Sequence, residues 1–220
     1  MVEGGSIYDF YIKEWAGVDP QNGKASWYKD VKDAAGNVTG RTTTTNQNEA
    51  SFYFEGSSLP DLYGGISNSF SYKGVDLSFL LSYSLGGKIF DGDQPMIMHV
   101  GSAPGRSWSK EALNRWTPEN TETDFPRLSY VTDSWNSIPS TRFLRSASYG
   151  RLKNLSLSYT IPRNLVSKWS LSDVRIRFVG EKLLTFYGTQ GLDPEQTVGG
   201  VTYYRYPAQK SYALVLNVSF

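Results

Sequence analysis

The sequence contains no cysteine and a single histidine, His99. The lack of thiols excludes disulfides, thiolate metal ligands and cysteine nucleophiles. One histidine offers neither a recognisable Ser-His-Asp constellation nor a two-histidine metal site. We therefore expect no cofactor, no metal and no enzymatic activity, and we interpret His99 as an ordinary loop residue.

Long apolar runs and an excess of positive charge are also missing. Lys and Arg number 22 against 21 Asp and Glu, so the chain lacks the basic field that nucleic-acid binding requires. No apolar run approaches the roughly 18 residues of a transmembrane helix, and the start, MVEGGSIYDF, has no signal-peptide pattern. These absences do not exclude a membrane β-barrel, because its strands need only about 9–11 residues with apolar side chains at alternate positions.

Strict alternation of apolar and polar residues is the main positive signal. It appears in VDLSFLLSYSL, LSLSYTI, DVRIRFVG and YALVLNVSF, at residues 75–85, 155–161, 173–180 and 212–220. Ser, Thr, Asn and Asp dominate the polar faces, while tyrosines lie near the ends of the apolar faces. This pattern is typical of outer-membrane barrels, with lipid outside, water inside and aromatic residues at the interfaces. The strands of a soluble β-sandwich alternate in the same way. The pattern therefore favours a membrane barrel but does not exclude a soluble sandwich.

Weaker strands at 6–16, 24–30, 62–73 and 183–187 bring the total to about eight. Asn22-Gly23 and Lys73-Gly74 predict tight turns. Residues 86–141 form a long segment without alternation, in which 107–116 predicts one short helix capped by Ser107 or Ser109. Long loops on one side and short turns on the other are typical of barrel proteins.

Five stretches together resemble the SusC/RagA-type TonB-dependent outer-membrane transporters. They are EGGSIYDFYIKEWAGVDPQNGKASWY (3–28), YFEGSSLPDLYGGISNSFSYKGVDLSFLLSYSLGGKIFD (53–91), ALNRWTPENTETDFPRL (112–128), FLRSASYGRLKNLSLSYTIP (143–162) and VRIRFVGEKLLTFYGTQGLDPE (174–195). The resemblance implies an all-β fold: part of a larger antiparallel transmembrane barrel with long extracellular loops. Residues 1–220 would be the C-terminal part of such a barrel, without the plug domain or the signal peptide.

The resemblance also implies a function and partners. The family imports nutrients, glycans or peptides, across the outer membrane of Gram-negative bacteria together with a SusD-like surface lipoprotein. TonB supplies the energy through the plug region, which this chain lacks, and the barrel contacts outer-membrane lipid. In outer-membrane proteins generally, the barrel-assembly machinery reads an aromatic C-terminal strand, which singles out Phe220 and, on the same face, Tyr212.

Candidate contact residues lie in the loops and on the polar strand faces. Loop aromatic residues could stack on sugars or pack on a peptide, or else pack the loops together: Trp108, Trp116, Tyr130, Trp135, Tyr203 and Tyr204. Arg175 and Arg177 share the polar face of a strand and would face the lumen. The acidic turns at 91–93 and 193–195 are interpreted as structural.

Three other functional classes stay open from the sequence. The first is a soluble all-β carbohydrate-binding module, which would bury its apolar strand faces in a core. The second is a vestigial, non-catalytic barrel fragment. A hydrolase is the most distant, because no carboxylate pair has a spacing that singles it out.

Overall fold

The computed structural model describes residues 3–129, 139–188, 191–196 and 198–220. The strands are β1 Asp9–Lys13, β2 Trp15–Val18, β3 Ala25–Lys32, β4 Val38–Thr44, β5 Phe52–Ser57, β6 Leu62–Tyr72, β7 Val75–Leu85, β8 Lys88–Asp91, β9 Leu144–Ser146, β10 Tyr149–Thr160, β11 Asp173–Tyr187, β12 Val201–Thr202 and β13 Ser211–Ser219. The α-helices are α1 Gln94–Ile97 and α2 Arg163–Val166, and 3-10 turns lie at Gln47–Glu49, Lys110–Asn114, Thr141–Phe143, Ser167–Trp169 and Pro194–Gln196.

The chain divides into two compact units. Unit 1 comprises the described residues within 1–59, 88–145 and 197–205, and unit 2 those within 60–87, 146–196 and 206–220. In the sequence, the first segment of unit 1 precedes the strands of unit 2, and the other two segments lie between strands of unit 2. No helix in the described ranges is long and apolar enough to cross a membrane.

Unit 2 is one five-stranded antiparallel sheet in the order β13-β11-β10-β7-β6. Each strand pairs with the next long strand in the sequence, which gives an up-and-down meander. The strands have 9 to 15 residues, which matches the length needed for a β-strand to cross a bilayer. The predicted strands at 173–180 and 183–187 are one strand, β11, whose pairing with β10 shifts register beside Lys182, a residue with φ of 54°.

The register aligns like residues across the whole sheet. One apolar row contains Phe70, Leu77, Leu157, Phe178 and Leu214, each directly opposite its neighbour. Cross-strand neighbours point to the same face, so the alternation in each strand adds up to one continuous apolar surface. Leu214 is 76% exposed, so the described residues leave most of its side chain uncovered.

The β6–β7 turn has the geometry that its sequence predicts. Lys73 and Gly74 both have positive φ, 46° and 83°, as a two-residue type I′ hairpin requires. A Cβ on Gly74 would lie 2.9 Å from the carbonyl oxygen of Thr160, so the turn also needs glycine for close packing against β10.

Unit 1 contains three small sheets: β1-β5, β2-β3-β4 and β12-β8-β9. The β2–β3 hairpin turns at 19–24, as predicted, with Gly23 at φ of 71°. The predicted helix at 107–116 is a 3-10 turn, and Ser109 rather than Ser107 caps it by accepting from the backbone N–H of Glu111. The core of unit 1 consists of Ile12, Phe90, Met98, Val100, Ala112, Phe125 and Phe143.

The prediction of an all-β, antiparallel fold is confirmed, but the strands are divided among several sheets. The predicted strands at 6–16 and 24–30 belong to the small sheets of unit 1, and five strands form the long sheet. Alternation reports an extended backbone with unlike faces, but it carries no information about the partner strand.

Candidate functional site

The long segment without alternation surrounds His99 in unit 1. His99 is 3% exposed, and its Nδ1 accepts a hydrogen bond from the indole Nε1 of Trp108 at 2.8 Å. The backbone N–H of Gly101 also donates to Nδ1, at 3.3 Å. Because Nδ1 is an acceptor, the proton of the neutral imidazole belongs on Nε2.

Burial lowers the pKa of His99. The positive charge of Arg106 acts in the same direction, while the backbone carbonyl of Arg106 opposes it. Nε2 itself is buried and makes no hydrogen bond to any described residue. The ring is therefore held neutral, with one nitrogen satisfied and a buried N–H on the other.

Two cavities share His99 as a lining residue. The first, of about 340 Å³, is bounded by Val100, Trp108 and Leu128 among others. The second, of about 310 Å³, has a different set of walls: Phe90, Pro95, Met96, Pro139 and Tyr203. Ala103 and Arg106 also line both, so one short segment separates them. Both volumes fall at the lower end of the range for small-ligand sites, about 300–1,000 Å³.

The predicted loop aromatic residues divide between these cavities and other positions. Trp108 lines the first cavity, Tyr203 lines the second, and the backbone N–H of Tyr204 donates to the Asp93 carboxylate. Trp116 donates to the carbonyl of Pro20 at 3.1 Å and packs its ring on the 19–24 hairpin. Tyr130 and Trp135 lie outside the described residues. Ligand contact by any of them stays a prediction.

In the acidic turn at 91–93, the carboxylates accept hydrogen bonds from backbone N–H groups. Asp91 Oδ1 accepts from the backbone N–H groups of Asp93 and Gln94, at 3.1 and 3.2 Å. In the described part of the chain, no three His, Cys, Asp or Glu residues are grouped so that they could hold a metal ion. The carboxylates of this turn are therefore occupied by backbone donors.

The second acidic turn, in unit 2, binds an arginine that the sequence analysis did not single out. Arg151 Nη2 lies 2.7 Å from Asp193 Oδ1, and Nη1 lies 2.5 Å from Glu195 Oε2. Lys153 also pairs with Glu195. Burial raises the pKa of Asp193, but the hydrogen bonds from Arg151 and from the Glu195 and Ala208 N–H groups outweigh it, so the pKa is lowered overall.

The polar face of the long sheet carries a second ion pair. Arg175 Nη2 lies 2.5 Å from Asp76 Oδ2 and 2.7 Å from the hydroxyl of Ser158. Arg177 stands directly opposite both Ser158 and Val215 in the register. Arg175 and Arg177 thus share one face, as their alternation predicts, with Asp76, Ser158 and the apolar Val215 as neighbours. Their position relative to a lumen stays a prediction.

The two residues predicted to guide barrel assembly are at the outermost strand. Tyr212 in β13 faces Phe178 in β11, with ring centroids 6.4 Å apart. Phe220 is 94% exposed and makes its contact through the backbone, where its carbonyl oxygen accepts from the hydroxyl of Ser172. Both aromatic side chains are accessible, and their role in assembly stays a prediction.

The relatives found by sequence comparison are TonB-dependent receptors. No protein-family model matches the chain. TonB-dependent receptor P3 of Formosa agariphila is 32% identical over 176 residues, which are 75% of this chain and 17% of that receptor. TonB-dependent receptor P26 of the same organism is 30% identical over 175 residues, with the same shares.

Structural comparison agrees and extends over more of the chain. The structure of the RagAB peptide transporter matches 96% of this chain with a TM-score of 0.77 and 32% identity, over 23% of its own chain. The RagAB peptide importer in the open-open state matches with a TM-score of 0.71 and 29% identity, over 22% of its own chain. This chain thus spans 17% of the curated relatives and less than a quarter of the solved structures. Agreement in sequence and fold together shows that the chain belongs to the SusC/RagA-type TonB-dependent outer-membrane transporters, as a part of their β-barrel.

Proposed function

We propose that this chain forms the C-terminal barrel part of an outer-membrane importer that takes up peptides. The observation that carries the proposal is the five-stranded antiparallel meander, which has a continuous, partly exposed apolar row on one face and an ion pair on the other. Lipid on the first face and water on the second satisfy both surfaces.

The two outer strands of the meander each have one unpaired edge within the described chain, because β6 and β13 end the strand order. An unpaired edge is costly in lipid, so the remaining strands of a larger barrel would have to complete it. The matched receptors are several times longer, which supplies the room for those strands, a plug and a TonB-contact segment. Energy would then come from TonB through the plug and not from this part.

Peptides are the substrates that the matched RagAB structures are named for, and small apolar cavities suit peptide side chains. Oligosaccharides are the second substrate class. A SusD-like surface lipoprotein would be the partner, the barrel-assembly machinery would insert the chain, and the part described here would bind and pass substrate without covalent chemistry.

The first experiment is to find the polypeptide that carries this sequence in cells. We expect mass spectrometry to detect it in the outer-membrane fraction of a Gram-negative host, in a chain several times heavier than 24.6 kDa. A 24.6 kDa species in the soluble fraction would instead support the soluble carbohydrate-binding module.

The second experiment tests the transport itself. A strain that lacks the gene should lose uptake of fluorescent oligopeptides, and so should a strain that lacks TonB. Complementation with the intact gene should restore uptake in the first strain. Uptake of oligosaccharides but not of peptides would overturn the peptide assignment and keep the importer.

A further inference from the structure

One end of the five-stranded sheet carries only short connections. Lys73 and Gly74 join β6 to β7, and residues 161–172 join β10 to β11. At the other end of the sheet the strands are joined by 86–148 and 188–210. Outer-membrane barrels have short turns on the periplasmic side and longer loops on the outer side. In the proposed barrel, the end with short connections therefore lies beside the inner leaflet of the outer membrane.

Backbone hydrogen bonds hold both short connections against this end of the sheet. The N–H of Thr160 donates to the carbonyl of Gly74 at 2.8 Å, and the N–H of Ser172 donates to the last residue of β13, also at 2.8 Å. Between these points, α2 and the 3-10 turn after it form one helical segment, 163–169. Val166 of this segment is fully buried, and its other residues are exposed. The segment is thus fixed to the sheet and presents its remaining side chains outward.

The two connections carry positive charge and no negative charge. Their exposed cations are Lys73, Arg163 and Lys168. Neither 69–75 nor 161–172 contains Asp or Glu. The nearest carboxylates along the chain belong to the polar face of the sheet: Asp76 is paired with Arg175, and Asp173 is two residues from Arg175 in the same strand. The three cations therefore favour an anion from outside the described chain.

The apolar face of the sheet ends beside these cations in a row with two tyrosines. Val75 lies opposite both Tyr72 and Tyr159, which are 71% and 42% exposed. Nζ of Lys73 lies 5.2 Å from the ring centroid of Tyr72, so this cation is on the apolar side of the sheet. Trp169, 69% exposed, adds a third aromatic ring next to Lys168 in the sequence. Tyr and Trp at the end of an apolar face are typical of a membrane interface.

The order of these groups matches the layers of a bilayer. An apolar face is followed by aromatic rings and then by cations, as acyl chains are followed by the interface and then by phosphate groups. The long stems of Lys and Arg allow their charges to reach the phosphates. A headgroup with net negative charge suits three cations better than a zwitterionic one, whose own ammonium they would repel.

We propose that this end of the sheet binds the headgroups of anionic phospholipids. Lys73, Arg163 and Lys168 contact the phosphates, while Tyr72 and Trp169 lie at the boundary with the acyl chains. The inference rests on the proposed barrel, and it adds to it a lipid class, a leaflet and the residues that recognise the lipid.

The test is photo-cross-linking of the full-length transporter in vesicles. The vesicles contain equal amounts of phosphatidylglycerol and phosphatidylcholine with the same acyl chains. A diazirine amino acid replaces Leu165, an exposed residue between two of the cations, and mass spectrometry identifies the lipids attached to it. We expect phosphatidylglycerol to exceed phosphatidylcholine at least about fivefold, which is roughly the effect of one cation near an anionic surface. The triple variant Lys73→Gln/Arg163→Gln/Lys168→Gln should attach both lipids about equally.

Two control variants separate charge and position from general damage to the protein. Lys73→Arg/Arg163→Lys/Lys168→Arg changes the same three residues but keeps their charge, so the preference should remain. Lys210→Gln removes an exposed cation beside β13 at the other end of the sheet and should also leave it unchanged. High salt should weaken the preference in the unaltered protein, because these charges are exposed. The salt measurement applies even if the triple variant does not fold.

Three results would overturn the proposal: attachment of the two lipids in proportion to the bilayer, a preference that high salt leaves unchanged, or equal loss in the Gln and charge-conserving triple variants. Attachment at residue 165 to protein instead of lipid would also overturn it, because this end would then be covered by a polypeptide. The same diazirine at Ile66, 54% exposed on the apolar face, tests the barrel itself. Lipid attached at 66 without a headgroup preference at 165 keeps the barrel, whereas no lipid at either position contradicts the proposed function.

Discussion

Arg151 of β10 forms ion pairs with two carboxylates of the turn that follows β11: Nη2 lies 2.7 Å from Asp193 Oδ1, and Nη1 lies 2.5 Å from Glu195 Oε2. The side chains of Arg151 and Asp193 are only 5% and 6% exposed. Forked donation to two oxygens fixes direction as well as distance, so this pair anchors the 191–196 turn to the sheet of unit 2.

Removal of the arginine should release the turn. Arg151→Met leaves the Asp193 carboxylate buried without its cation, which costs about 3–5 kcal/mol for a buried pair. We expect much faster amide hydrogen exchange at 191–196 in the detergent-solubilised transporter, with the strands of the sheet still protected. Lys153→Met is the control, since Lys153 is a partly exposed partner of Glu195 and its loss should cost at most about 1 kcal/mol. Equal exchange in the two variants would contradict the anchor.

Acid should loosen the same turn. The pKa of Asp193 is lowered in the folded chain, so the anchored form binds fewer protons than the released form. The stabilisation is therefore complete above the ordinary Asp pKa, about 3.9, and is lost as the pH falls through the lowered value. We expect hydrogen exchange at 191–196, corrected for its intrinsic pH dependence, to be constant from pH 7 to 5 and to rise below pH 4. Asp193→Asn should remove most of this rise, and an unchanged rise in that variant would assign it to other groups.

The β6–β7 turn offers a test of backbone strain. Gly74 has φ of 83°, and an added Cβ would meet the Thr160 carbonyl oxygen at 2.9 Å. Gly74→Ala should therefore cost about 1–2 kcal/mol for the left-handed backbone alone, with a further cost for the contact. Gly150→Ala is the matched control, because its Cβ would meet nothing within 4 Å. Urea unfolding of the transporter in lipid vesicles compares the two, and equal midpoints would show that the turn tolerates a side chain.

The proposed role of Phe220 is tested by measuring how much folded transporter is assembled into the outer membrane. If Phe220 is read by the barrel-assembly machinery, Phe220→Ala should lower the amount of folded transporter in the outer membrane severalfold. The transcript level and the stability of the molecules that do fold should stay unchanged, because the exposed Phe220 ring packs on little of the protein. Tyr206→Ala serves as a control, since Tyr206 is a comparably exposed aromatic residue outside the strands. A similar loss in both variants would argue against a specific signal.

The long strands could be predicted from the sequence because alternation is a local property. The register of Phe70 with Leu77 follows from the tight turn at Lys73-Gly74. The register of Leu77 with Leu157 joins strands more than 60 residues apart, so only their matched apolar faces could indicate it. The Arg151–Asp193 pair could not be predicted in the same way, since its members are 42 residues apart and nothing local marks them as partners. His99 was interpreted as an ordinary loop residue. Its hydrogen bond with Trp108 and its place in the lining of two cavities depend on an irregular backbone segment. Such a segment has no periodic sequence pattern from which these contacts could be predicted.

The apolar row of the long sheet gives the most direct test of the membrane assignment. Leu214 and Ala213 are neighbours in β13 and point to opposite faces: Leu214 continues the row of Phe70 and Leu157, and Ala213 lies opposite Val179 in the row that includes Ser156. Leu214→Arg should destabilise the folded transporter in lipid by about 2–4 kcal/mol if the site lies near the bilayer midplane, and less near an interface.

Ala213→Arg adds the same charge one residue away, on the face where β11 already carries Arg175 and Arg177. If that face meets water, the cost should be well below that of Leu214→Arg, because the guanidinium keeps its hydration. Urea titration of the two variants in vesicles of the same lipid measures the difference. A larger cost at Ala213 than at Leu214 would mean that the apolar row faces protein or water and that the other face meets lipid, which would reverse the sheet in the membrane.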